Sequence, residues 1–190
     1  MELRGQQIIP LAQDLVWAAL NDPEVLKASI PGCESIEETP EGYRMVMLAA
    51  VGPVRARFNG KLKLADVVAP SSYTIIFEGS GGVAGFGKGQ AQVKLLPVGD
   101  VTQLDYVANA QVGGKIAQVG SRLIDGVASR MAGEFFTRFK ERVAAPPQTD
   151  GASDAVVDVQ PRVSAAEPSH RSFWSLLAFW RWFSPRRSSN

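Results

Sequence analysis

The chain has 190 residues, 45% of them hydrophobic, with a formal net charge of +1 at pH 7, which allows one ordinary domain with a sizeable core and an appendage. Residues 1–144 carry 15 basic and 15 acidic groups, and a body so balanced argues against a nucleic-acid binder, which needs a basic face on its folded part. A single cysteine, Cys33, excludes an internal disulfide framework and fits a reducing compartment, its plain role being a small buried or half-buried residue.

The opening MELRGQQIIPL has neither the basic start nor the long apolar run of a secretory signal, and no stretch approaches the roughly 18 apolar residues of a spanning helix. The protein is therefore expected to stay in the cytoplasm. After an opening strand, PLAQDLVWAALNDPEVLKASIPG reads as two short helices, broken at Pro23 and ended at Pro31-Gly32, with Asp22 placed to cap the second.

From about residue 42 to 112 the pattern changes to period two. In VRARFNGKLKL the polar set Arg55, Arg57, Asn59, Lys61 and Lys63 alternates with Val54, Ala56, Phe58, Gly60, Leu62 and Leu64, as a strand with one wet face requires. SYTIIFEG, GKGQAQVKLL and TQLDYVANAQV repeat the alternation more loosely, with APSS and PVGD as turns, so an antiparallel meander follows. A long helix over about residues 115–143 comes next, its stripe formed by Ile116, Gly120, Leu123, Val127, Met131, Phe135 and Phe139.

Beyond residue 144 the composition shifts. Residues 145–171 are rich in Pro, Ala, Ser and Asp, with no aromatic residue, and read as a disordered linker whose typical span is roughly 25–30 Å. Up to residue 170 this stretch sets Arg162 against Asp150, Asp154, Asp158 and Glu167, while residues 171–190 carry Arg171, Arg181, Arg186 and Arg187 without an acid. Only the tail seeks an anionic partner.

These elements predict an α+β domain over residues 1–144, in which one antiparallel sheet is covered on its inner face by the long helix, either by curling tightly around it or with an apolar space between. The alternation implies an inward set of Tyr43, Met45, Met47 and Ala49; Ala56, Phe58 and Gly60; Tyr73, Ile75, Phe77 and Gly79; Gly87, Gly89 and Ala91; and Tyr106, Ala108 and Ala110. Residues as small as Gly and Ala do not fill the roughly 10 Å between a sheet and its cover. An apolar cavity is expected, lined by Phe58, Phe77, Tyr106, Ala108, Leu123, Val127 and Met131. The other use of such glycines, in bends and bulges of a curved sheet, is compatible with it.

Catalytic chemistry finds little support. The only histidine, His170, lies in the linker, so the body holds no histidine triad or histidine-containing metal cluster, and acidic neighbours such as Glu37-Glu38 sit beside turns where solvated charge is ordinary. GVAGFGKG, Gly82 to Gly89, imitates a phosphate loop through Gly82, Gly87 and Lys88. It fails because Gly89 stands where a metal-binding Ser or Thr is needed and a strand pattern follows in place of a helix. A binding module is favoured over an enzyme, with no metal and no covalent cofactor.

ALNDPEVLKASIPGCESIEE, VGPVRARFNGKLKL, GSGGVAGFGKGQAQV and QVGGKIAQVGSRLIDGVASRMAGEFFTRF, in this order and spacing, closely resemble the CoxG family of carbon monoxide dehydrogenase subunits over about residues 1–143. Ile30-Pro31-Gly32-Cys33, Val51-Gly52-Pro53-Val54 and Gly120-Ser121-Arg122-Leu123-Ile124 carry the likeness. The resemblance implies the helix-grip fold of the START-like superfamily, with a hydrophobic cavity between sheet and helix. It also implies a non-catalytic accessory that recruits a CO dehydrogenase-type molybdenum hydroxylase to the cytoplasmic membrane, with no catalytic residues to carry over.

The tail, residues 172–190, lies outside that likeness. As a helix, residues 173–183 place Phe173, Leu176, Leu177, Phe179, Trp180 and Phe183 on one side, with Arg181 and Trp182 elsewhere; at 1.5 Å per residue this is too short to span a bilayer. Together with Trp174, Arg186 and Arg187 it is expected to lie in the headgroup layer of anionic lipid on the inner face of the cell membrane; docking of the aromatics on the parent domain or a partner is the alternative. The row Arg55, Arg57, Lys61 and Lys63 is either a solvated face or a dock for an acidic patch on the hydroxylase. For the cavity, a membrane quinone or a lipid is the candidate guest. Two other roles stay open: a ligand-free assembly chaperone for the hydroxylase, and a helix-grip enzyme acting on a hydrophobic substrate.

Overall fold

Alternating side chains give one wet and one dry face to each strand, and the strands join accordingly. β1 (Glu2–Ile9), β2 (Cys33–Thr39), β3 (Gly42–Val51), β4 (Val54–Val68), β5 (Ser72–Ser80), β6 (Phe86–Val98) and β7 (Val101–Gly113) form one antiparallel sheet in the order β1-β7-β6-β5-β4-β3-β2. The computed structural model describes residues 1–144; the expectations for the linker and the tail lie outside the described residues. β3 to β7 follow one another through short turns, whereas β1 reaches β7 across the whole domain, from Glu2 opposite Asn109 to Ile9 opposite Thr102.

The sheet is larger than the meander expected from residue 42. β2 pairs with β3 as an edge strand, with a register shift between Cys33 and Ser35, and Ile36 is its only buried residue. An edge strand that hides one side chain has no period-two signal to show.

The helices between β1 and β2 form as expected. α1 (Gln13–Leu20) buries Val16 and Leu20, and α2 (Pro23–Ser29) starts on Pro23 with Asp22 as its cap. The Asp22 carboxylate accepts from the backbone N–H of Glu24 at 2.8 Å and of Val25 at 3.4 Å, satisfying donors that a first helical turn leaves free.

The long helix starts later than its apolar stripe suggests. Lys115–Val119 is a short 3-10 turn, and α3 covers Ser121–Ala144. Gly114 and Gly120, at φ +81° and +96°, bracket the turn, and a left-handed backbone at both points interrupts the helix. The stripe of α3 accordingly begins at Ile124 and continues through Val127, Met131, Phe135, Phe136 and Phe139, all buried or half-buried.

Candidate ligand-binding site

Strand register places the expected inward set on one face. Phe77 stands between Leu62 and Gly89, and Ala91 between Ile75 and Ala108. On that face β1 and β3 to β7 present no charged side chain. α3 covers it, but unevenly.

At the end where β1 runs into α1, Phe136 and Phe139 pack with Ile9, Tyr73, Val93, Leu95 and Leu104. At the other end Val127 packs with Val51 and Ile116, with Phe58, Val112, Ile124 and Met131 half-buried against them. Beside α2, Ile36, Tyr43 and Met45 form a third cluster. Phe77, Ala91, Ala108 and Ala110 on the inner face belong to none of these, and neither do Gly79 and Gly87 beside the β5–β6 hairpin.

The glycines show why. A Cβ added to Gly79 meets nothing nearer than strand backbone at 3.6 Å, and at Gly87 nothing nearer than 3.9 Å, so no atom of α3 comes within 4 Å of either position. Gly60 and Gly89 differ: a Cβ at Gly60 approaches the Met45 side chain at 3.0 Å, and one at Gly89 runs into the backbone of β7 and the Phe77 ring. Some glycines therefore leave space, while others allow close approach in a curved sheet. A cleft of about 390 Å³ opens between Met1, the end of β7 and the first turn of α3, within the roughly 300–1,000 Å³ typical of small-molecule sites. Ala110, Val112 and Ile124 line it, and the first two belong to the inner face.

The expected lining residues separate into groups. Phe58, Phe77, Ala108 and Met131 are half-buried between sheet and helix. Tyr106 joins the packed end, its ring stacked on Phe136 at 5.2 Å. Its hydroxyl lies over Gly5, where an added Cβ would come within 2.5 Å, and burial raises its pKa. Val127 is 8% exposed within a packed cluster and so supports the site from behind. Leu123 does not face inward: it is 42% exposed and sits against Gly52 of the β3–β4 turn. The break at Gly120 sets the phase of α3 so that Ile124 takes the inward position. Phe136, missed by the three-four spacing counted from Ile116, proves to be a core aromatic of the lid.

Outside the cavity the sheet carries paired charges. Arg57 meets Glu34 at 2.7 Å, Lys63 meets Glu41 at 2.8 Å and Lys61 meets Glu78 at 3.9 Å. The hydrogen bonds and charges of these partners raise the pKa of Arg57 and Lys63. Among the described residues, Arg55 is the member of the row without an ion-pair partner. Cys33 is half-buried with its thiol pKa raised by burial, against a smaller opposing effect of Lys27. Among the described residues no group of His, Cys, Asp and Glu is placed to hold a metal ion, and no helix is long and apolar enough to cross a membrane.

This architecture agrees with a family model for the CoxG subunit of carbon monoxide dehydrogenase, which matches residues 5–144. The chain belongs to that family. Among solved structures, the CoxG-family chain is similar to a conserved protein from Geobacillus kaustophilus, at 29% identity and a TM-score of 0.71 over 76% of this chain and 95% of that one. A START superfamily protein from Mycobacterium smegmatis matches at 12% identity and a TM-score of 0.58, covering 75% and 97% of the two chains. The Zhui aromatase/cyclase from Streptomyces matches at 14% and 0.56, covering 76% and 93%. The last two likenesses concern the fold alone, a START-like helix grip. No protein of curated function matches the CoxG-family chain.

Proposed function

We propose that this CoxG-family protein is a non-catalytic accessory of a CO dehydrogenase-type molybdenum hydroxylase. It carries an apolar small molecule, a membrane quinone in the first instance, between sheet and α3, and is held at the inner face of the cell membrane by residues 172–190. The observation that supports carriage is the inner face between the packed clusters, where Phe77 and Ala108 are half-buried outside each of them and, toward the β5–β6 hairpin, no α3 atom comes within 4 Å of a Cβ at Gly79 or Gly87. Apolar walls give a nonspecific grip on an isoprenoid or acyl chain, and polar contacts belong at the mouth. There the cleft offers Ser121, Gln111 and Asp125. The hydroxylase delivers electrons that must reach a carrier, so a quinone guest beside the membrane connects the two roles.

Native mass spectrometry and lipid extraction of the purified full chain test this reading. A bound quinone or lipid supports the carrier. Chemical turnover of such a guest makes the protein an enzyme, and an empty protein that still restores hydroxylase activity makes it an assembly chaperone.

A further inference from the structure

At the end of the sheet remote from the cleft, the β4–β5 and β6–β7 hairpins carry an exposed apolar ridge that ligand carriage does not use. Val67, Val68, Leu96 and Val98 are 45%, 60%, 46% and 50% exposed, and Ile8 is 48% exposed. Register gathers them: Val68 pairs with Ser72 and Ser72 with Lys94, while Leu96 pairs with Gln103 and Gln103 with Ile8. The Leu95 N–H donates to the Ser71 carbonyl at 2.7 Å, joining the two hairpins.

The ridge has a local cause. Regular alternation turns one of two consecutive valines inward, but the register shifts between Ala65 and Val68, with Asp66 at φ +50°. Such a bulge inserts unpaired residues and re-aims the strand, and both valines stay in solvent. Scattered exposed apolar residues are ordinary, whereas clustered ones mark interaction sites.

Charge decides the kind of partner. Asp66, in the bulge of β4, and Asp100, in the β6–β7 turn, are exposed, and the base nearby, Lys94, stands opposite Asp105 in register. An acidic rim is repelled by anionic lipid and complements a basic one. The Arg55–Lys63 row offers less, because three of its four charges are paired with carboxylates of this chain.

Resting on the accessory role above, we propose that this hairpin ridge is the docking surface for the hydroxylase, which meets it with an apolar patch rimmed by Arg or Lys. The cleft, at the opposite end, stays open while the enzyme is held.

Binding of the full chain to the purified hydroxylase of the same organism, read by biolayer interferometry, tests it. Val68→Asp with Leu96→Asp, both at exposed positions, should weaken binding about tenfold or more, as loss of a central apolar contact does. Asp66→Asn with Asp100→Asn should flatten the salt dependence, and Arg55→Glu with Arg57→Glu should leave the affinity near native. Native-like affinity of the Val68/Leu96 variant overturns the docking surface while leaving the accessory role standing; a native chain that does not bind the enzyme at all overturns both. A dimer in sedimentation that the two Asp substitutions dissociate, with enzyme binding intact, assigns the ridge to a second copy and overturns the proposal. Loss of liposome flotation in that variant, again with enzyme binding intact, assigns it to lipid and overturns it equally.

Discussion

Replacing Ala108 with Phe tests whether the middle of the inner face is empty. Ala108 pairs with Ala91 on one side and Leu3 on the other, is half-buried, and belongs to no packed cluster. Burying a phenyl side chain that finds room contributes about 1.5–3 kcal/mol, whereas forcing extra volume into a filled core costs typically about 1–3 kcal/mol. The two cases therefore differ in sign. For a domain of this size each kcal/mol moves the melting temperature by about 3–4 °C, so the filled variant should melt several degrees higher than the native protein. The ring should also take the place of a guest: binding of a fluorescent apolar probe such as 1-aminoanthracene should weaken about tenfold, or 1.4 kcal/mol. Scanning calorimetry and a probe titration on the same samples read both quantities. A melting temperature lowered by several degrees refutes the reasoning, because it shows close packing where the structure leaves space.

Removing residues 171–190 should leave the far-ultraviolet spectrum and melting of the body unchanged and abolish flotation with anionic liposomes; flotation of the truncated chain removes the tail from the membrane role. Asp22→Ala, which deletes the acceptor for two N–H groups of α2, should cost about 1 kcal/mol in urea denaturation, and an unchanged midpoint makes the cap dispensable. Burial holds the pKa of Tyr73 well above its ordinary value, with Tyr43 adding to the effect. The neutral hydroxyl is therefore favoured by folding: this stability is fully present below about pH 10, where the unfolded chain titrates, and is lost as pH rises beyond it. Urea midpoints should be level from pH 7 to 9 and fall above about 10, and Tyr73→Phe should flatten that fall; an equal fall in the variant assigns it to other groups.

The strands from Gly42 onward, the two short helices and the Asp22 cap are legible in the sequence because their causes are local. Alternation is set by the pleat, and a cap by the spacing between one side chain and the next few N–H groups. The family motifs carried the helix grip further than periodicity could. β2 was hidden because its edge position buries only Ile36, and the start of α3 was misplaced because two glycines interrupt a stripe that runs on unbroken in the residue pattern. From that break follows the exchange of Leu123 for Ile124.

What each glycine does was a question only tertiary structure decided. Gly79 and Gly89 look alike in an alternating strand, yet a Cβ at the first meets only strand backbone at ordinary distance and one at the second strikes β7 and Phe77. The difference lies in how β4, β5, β6 and β7 approach one another. The same holds for Arg57, Lys61 and Lys63, whose carboxylates come from β2, β5 and the β2–β3 turn, and for Val67 and Val68, joined to Leu96 through two hairpins brought side by side. Residue type and spacing specify the direction of a side chain along its own element. What stands in front of it depends on contacts between residues far apart in the chain, which exist only once the sheet has closed under its helix.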